Sequence, residues 1–148
     1  MKALVVFDSQ YGNTETVARA VAAALPSSPA ARALKPAEVE PSDLAGLGLL
    51  VVGSPVQGGK PTQAVQEFLD SLPDGALKGV RVAAFDTRVR NFIARLFPTA
   101  ANRILEELVL RGGVKAGAPL GVLVKETKGP LLDGELERAA AWGKALGV

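Results

Sequence analysis

The chain opens with five consecutive apolar residues, Ala3, Leu4, Val5, Val6 and Phe7, a run of strand length with a β-branched centre. A polar turn follows over residues 8–13. From Thr14 the apolar positions recur at helical spacing, with Val17, Ala20, Val21 and Ala24 on one face as far as Leu25-Pro26. This change from a continuous to a one-sided apolar pattern predicts a buried strand, a turn and then a helix. The same order repeats downstream. Residues 49–52 are apolar throughout and run into a turn rich in Gly and Pro, after which Val65, Phe68, Leu69 and Leu72 mark a helix that ends at Pro73. Residues 80–85 predict a strand and 86–90 a loop. A helix over 99–110 closes at Gly112 and Gly113, and residues 120–124 and 134–146 predict a further strand and a last helix. The weakest signal is at 31–34, a brief edge strand within the proline-rich stretch 26–43, which otherwise reads as an irregular crossover. Apolar strands alternating with amphipathic helices are the pattern of a parallel sheet covered on both faces. With no internal repeat and no linker, residues 1–148 are expected to form a single α/β domain of about five strands.

Composition narrows the chemistry more than the fold. A hydrophobic fraction of 48% over 148 residues supports one sizeable core. The chain has no Cys and no His, which excludes disulfides, thiolate nucleophiles, imidazole acid/base catalysis and the usual zinc ligand sets. No catalytic residue and no metal site are therefore expected, and any difficult chemistry belongs to a bound cofactor. The 17 basic and 15 acidic side chains leave a net charge of +2. The bases are scattered apart from Arg88, Arg90 and Arg95, so no nucleic-acid partner is expected. The longest apolar run, residues 47–53, falls short of the roughly 20 residues of a membrane span. The run at 3–7 is too short for a signal peptide, and a cytoplasmic location is expected.

In an open parallel sheet, ligands bind outside the carboxyl ends of the strands, so three loops are informative. The first, Ser9, Gln10, Tyr11, Gly12, Asn13 and Thr14, combines hydroxyls with a glycine and leads into a helix N-terminus. Backbone N–H groups and the helix dipole favour an anion there; without a ligand the same residues read as a hydrophilic turn with Asn13 or Thr14 as N-cap. The second loop, residues 53–61, carries Gly53, Gly58 and Gly59, and glycine lets the backbone approach a flat ligand closely. A Walker A reading fails, because Gly59 stands at the lysine position and Pro61 follows Lys60 where Ser or Thr is needed. The third loop, Asp86, Thr87, Arg88, Val89, Arg90, Asn91 and Phe92, places two arginines beside the crevice, either on an anionic group or as solvated surface charge.

Phe7-Asp8-Ser9-Gln10-Tyr11-Gly12-Asn13-Thr14-Glu15 resembles the FMN-phosphate loop of flavodoxins. Gly53, Ser54 and Pro55 with Gly58 and Gly59, and Asp86 with Thr87, fall where flavodoxin-like proteins place their two isoalloxazine loops. The resemblance covers essentially the whole chain and implies a three-layer flavodoxin-like fold with a five-stranded parallel sheet of order 2-1-3-4-5. It implies FMN as cofactor, its phosphate wrapped by Ser9, Gln10, Tyr11, Gly12, Asn13 and Thr14. The ring would be flanked by Pro55, Val56, Gln57, Gly58 and Gly59 on one side and by Asp86, Thr87, Arg88 and Val89 on the other. The implied function is electron transfer through the flavin, to a redox partner protein or a small-molecule electron acceptor. Alternatives are a small FMN-dependent quinone- or protoporphyrinogen-type oxidoreductase, and a regulatory protein of this fold that has lost its cofactor. A signalling receiver domain shares the strand order, and Asp8 and Lys125 fit it loosely, but Gly53-Ser54-Pro55 supplies no phosphoacceptor.

Against flavodoxin carriers, this chain has no aromatic residue over 56–59, has Tyr11 where Thr is more frequent, and is not acidic. Phe92 or Phe97 would have to reach the ring. Three expectations follow. Residues 9–14 contain no base, which predicts a phosphate held without any Lys or Arg salt bridge, by hydroxyls and N–H groups, with only weak salt dependence. Gly58 or Gly59 is expected to turn its peptide with redox state. Arg88 and Arg90 are expected to present positive charge to the ring and ease its full reduction.

Overall fold

The computed structural model describes residues 1–27, 29–89 and 99–147. Its strands are β1 (Ala3–Phe7), β2 (Arg32–Leu34), β3 (Leu49–Pro55), β4 (Arg81–Val89), β5 (Val114–Lys115) and β6 (Leu120–Val124). The helices are α1 (Asn13–Ala24), α2 (Pro41–Leu44), α3 (Gln63–Ser71), α4 (Ala100–Leu110) and α5 (Glu135–Leu146). The proline-rich crossover holds α2 and a single 3₁₀ turn, Pro36–Glu38, each with a proline in its first turn, where its missing N–H costs nothing. All pairings among these strands are parallel, and the sheet order is β2-β1-β3-β4-β5, with β6 also on β4.

The order is the expected 2-1-3-4-5, but the fifth position is filled by two segments. Val82 pairs with Lys115 and Phe85 with Leu120, so the edge advances five residues while β4 advances three. The edge thus spends two residues more than β4, and its stretch 116–119 contains Gly117 and Pro119, of which Pro has no N–H to offer a ladder. The ladder breaks there and resumes as β6.

Strand residues divide their side chains between two cores. Leu4, Val6, Leu50, Val52, Val82 and Ala84 pack with Val65, Phe68 and Leu69 of α3 and Ile104, Leu105 and Leu108 of α4. Their neighbours in sequence, among them Val5, Phe7, Val51, Ala83 and Phe85, face α1 and α5 through Val17, Val21, Ala139 and Leu146. Continuous apolar strands are thus required because both faces are covered.

Two strands run beyond their apolar stretches. The ladder between β3 and β4 continues through Ser54 with Asp86 and Pro55 with Thr87, and β6 pairs with β4 as far as Val89. Backbone pairing carries polar residues 86–88, expected as loop, into the sheet, because β4 has a partner on each side. Asp86 and Ser54 are fully buried there and Thr87 nearly so. This extension sets the floor of the site described below.

The outer edge of β6 is closed by the chain that follows it. The Leu132 N–H donates to the Leu123 carbonyl at 3.0 Å, and the Glu135 carboxylate accepts the Leu123 N–H at 2.8 Å. Arg138 donates to Glu135 through Nε and Nη2 and also reaches the Gly121 carbonyl. Side chains on the first turn of α5 therefore satisfy edge groups that would otherwise template another strand. The Arg138 guanidinium holds the Glu135 carboxyl below the ordinary glutamate range, against the opposing effect of burial. A folded-state value below the unfolded one stabilises the protein above the ordinary range, and that stabilisation is lost as pH falls through the lowered value. Glu135→Gln is expected to cost about 1 kcal/mol at neutral pH. The difference from wild type should vanish on acidification; urea unfolding at several pH values measures it, and a gap independent of pH would contradict the assignment.

Candidate functional site

At the carboxyl ends of β1, β3 and β4 the chain builds one recess. Residues 9–12 turn from β1 into α1 with Gly12 as the N-cap at φ 91°, a left-handed conformation suited to glycine. The cap is thus Gly12 rather than Asn13 or Thr14. Its N–H donates to Ser9 Oγ at 3.0 Å, and the Ser9 N–H to the Asp8 carboxylate at 2.9 Å, so the loop shapes itself. Among the described residues no side chain caps α1, which leaves N–H groups of its first turn available to an occupant of the recess.

A cavity of about 120 Å³ lies against this turn. Gln10, Tyr11, Asn13 and Thr14 line it from the first loop, Pro55 and Val56 from the end of β3, and Thr87, Arg88 and Val89 from β4. Three loops distant in sequence are thus brought together. At the centre, Thr14 Oγ1 and Thr87 Oγ1 are 2.7 Å apart, and both side chains are buried. Two hydroxyls in contact share one hydrogen bond and leave the second O–H free to donate elsewhere. A larger cavity, about 510 Å³, lies on the outer face of α4 beside Lys115 and Pro119. It runs along α4, and none of its lining residues belongs to the first loop, β3 or β4.

The other predicted residues have different surroundings. Ser9 and Gly12 shape the loop. Gln57, Gly58, Gly59 and Lys60 form a two-residue turn: Gln57 donates to Lys60 at 2.8 Å and Lys60 to Gln57 at 3.0 Å, with Gly58 and Gly59 at φ 57° and 76°. Positive φ at both central positions is the type I′ geometry, so this is an ordered hairpin tip, not slack. Its base is joined to β4 by the Val56 N–H on the Thr87 carbonyl at 3.0 Å.

Asp86 lies beneath the recess, on the α4 side of the sheet. Its carboxylate accepts Arg88 Nε at 2.7 Å and Nη2 at 2.9 Å, and the Ala101 N–H at 2.9 Å. Burial pushes the Asp86 carboxyl above its ordinary value, while Arg88, the Ala101 N–H and Thr99 pull it back. The Arg88 guanidinium folds over Gly121, where a Cβ would collide with it. The expectation that Arg88 presents free positive charge to a ring is therefore corrected: it neutralises Asp86. Arg90, Asn91, Phe92 and Phe97 lie outside the described residues.

Sequence reasoning missed one wall. Val124 and Thr127, at the end of β6 and just beyond it, also line the cavity. Their signal, a polar loop after the last strand at the same sheet end as the others, was present in the strand order.

Among the described residues no helix is long and apolar enough to cross a membrane, and no group of acidic side chains forms a metal cluster. No curated protein matches the sequence. The structure superposes on a flavodoxin from the domain Archaea with a TM-score of 0.79 at 24% identity, covering 99% of this chain and 96% of that one. Flavodoxin 2 from Bacillus cereus gives 0.80 at 23% identity over 99% and 97% of the two chains. A WrbA-like flavodoxin from Agrobacterium tumefaciens gives 0.77 at 18% over 99% and 94%. The flavodoxin family model matches residues 5–127, from inside β1 into the loop after β6. This chain therefore belongs to the flavodoxin family of electron-transfer flavoproteins, and its cofactor is FMN.

Proposed function

We propose that the recess between α1, β3 and β4 holds the phosphate-bearing end of FMN and that the protein passes electrons to a redox partner through the flavin. The observation that carries this reading is the Thr14–Thr87 hydroxyl pair, buried in the cavity beside an uncapped helix N-terminus. A spare O–H and first-turn N–H groups are the donor set that a phosphate oxygen requires, and they supply it without a desolvated counter-charge. At about 120 Å³ the described cavity suits this end of the cofactor rather than the whole of it. Asn13 and Gln10 add side-chain amides at the wall. Pro55, Val56 and the glycine turn at 58–59 would flank the ring, as the resemblance to the family implies. When bound, FMN supplies the electron-accepting group; the chain's own residues bind, orient and shield it.

Which acceptor the flavin serves is a separate question. A small FMN-dependent reductase of a quinone-like acceptor is the second reading, supported by half-buried Val56 and exposed Gln57 where carriers place a stacking ring. The test of the main reading is reconstitution. Apoprotein titrated with FMN should quench the flavin fluorescence at one equivalent and give a yellow complex. Thr14→Ala should weaken binding by about 1–3 kcal/mol. Absence of any FMN complex, or undiminished affinity in that variant, would defeat the proposal.

A further inference from the structure

The loop from β6 to α5 touches the first loop at more than the cavity wall. Lys128 Nζ lies 6.0 Å from the centre of the Tyr11 ring, within the range of a cation–π contact. One residue on, the backbone of Gly129 packs against Asn13 so closely that a Cβ would stand 2.6 Å from Asn13 Oδ1 and 2.8 Å from Nδ2. Gly129 is also at φ 103°. Thr127, just before Lys128, lines the cavity itself. The loop is braced internally by the Gly129 N–H on the Glu126 carbonyl and the Lys125 N–H on the Pro130 carbonyl, both at 2.8 Å, and Val124 bridges to Leu131. The backbone at Lys128 is thus braced, and its exposed side chain extends toward the Tyr11 ring.

The charges around the first loop make that position matter. Residues 9–14 carry no base. Asp8 is engaged by the Ser9 N–H, and Glu15, in the first turn of α1, is held by Arg19 through Nε and Nη2. Arg88 also lines the cavity, but its guanidinium is paired with the Asp86 carboxylate. Among the described residues Lys128 forms no ion pair with a carboxylate, and the fold brings this basic side chain to the first loop from more than a hundred residues away.

We propose that Lys128, held against Tyr11, acts as an electrostatic clamp on the cofactor's phosphate and makes the site select the phosphorylated flavin over riboflavin. The inference rests on the reading that the phosphate sits at the N-terminus of α1, and it replaces the expectation of a phosphate with no basic partner and little salt dependence. Hydroxyls and N–H groups position a phosphate but also accept a neutral hydroxyl in its place. A nearby cation responds to the dianion alone, and so separates the two ligands.

The experiment titrates wild-type, Lys128→Gln and Lys128→Glu apoproteins with FMN and with riboflavin, by fluorescence quenching at low and at high salt. Lys128→Gln should weaken FMN about three- to fivefold and Lys128→Glu further, with riboflavin unchanged. The salt dependence of FMN binding should shrink in Lys128→Gln and vanish or reverse in Lys128→Glu. FMN binding by the wild type that neither variant alters would overturn the role of Lys128 while leaving the phosphate site standing. Equal losses for FMN and riboflavin would overturn it as well, showing support of the loop rather than recognition of charge. Equal affinity of the wild type for both flavins would overturn the phosphate site and the clamp together.

Discussion

Asp86→Ala is expected to be among the most destabilising single substitutions in this protein, lowering unfolding free energy by about 3–5 kcal/mol. The carboxylate is fully buried and accepts two hydrogen bonds from Arg88 and one from the Ala101 N–H at the second position of α4, with Thr99 beside it. Removing it leaves a largely buried guanidinium without its counter-charge and a buried N–H without an acceptor, and the two penalties add at one place. Asp86→Asn keeps the volume and one acceptor, so it should lose less. The pH dependence has the opposite sign to that of Glu135. Burial raises the Asp86 carboxyl above its ordinary value, so the folded protein holds this proton more tightly than the unfolded chain does. Ionised Asp86 therefore costs stability at neutral pH, and that cost falls away as pH drops through the raised value. Denaturant unfolding of the wild type and both variants between neutral and mildly acidic pH tests both statements. A small loss in Asp86→Ala, or a wild type whose pH slope is matched by Asp86→Asn, would show that the carboxylate is not what joins β4 to α4.

The largest effect on cofactor binding is expected from the Thr14–Thr87 pair. Thr87→Val is nearly isosteric, but it leaves the Thr14 hydroxyl buried without its partner and removes one of the two hydroxyls that face the recess. FMN affinity should fall roughly tenfold, and stability by about 1–2 kcal/mol. Thr14→Val should behave alike. The double variant separates the two roles. Replacing both partners restores a matched apolar contact, so its stability loss should be less than the sum of the single losses, whereas its FMN affinity should be the lowest of the set. Strict additivity in stability would mean that the hydroxyls do not interact, and unchanged FMN affinity throughout would remove the pair from the site.

Much of the architecture is written into the order of residues because it depends on local pattern. The continuous apolar runs at 3–7 and 49–52 can be satisfied only by strands covered on both faces, and the helical spacing of Val17, Val21, Val65, Phe68 and Leu69 follows from the same two-sided burial. The hydroxyl- and glycine-rich loop before α1 is legible for a similar reason, since a left-handed glycine and a polar helix start are local requirements.

Other features depend on what lies beside a segment rather than on the segment. Residues 86–88 look like loop, yet partners on both sides draw them into β4 and bury Asp86 and Thr87. Arg88 reads as a free cation until Asp86, two residues earlier on the same face of β4, takes its charge. The split of the last strand into β5 and β6 follows from a mismatch with β4 in residues consumed, which neither strand shows alone. Thr127 and Lys128 carry no motif at all. They reach the first loop because the parallel order of the sheet returns every strand's carboxyl end to one rim, so that residues remote along the chain become neighbours there. The sequence by itself determined the layers, the strand-helix alternation and the chemistry of the first loop. Only the tertiary structure decided which charges are neutralised, which hydroxyls meet and which lysine lies beside Tyr11, because electrostatic and hydrogen-bond partners are set by distance in space.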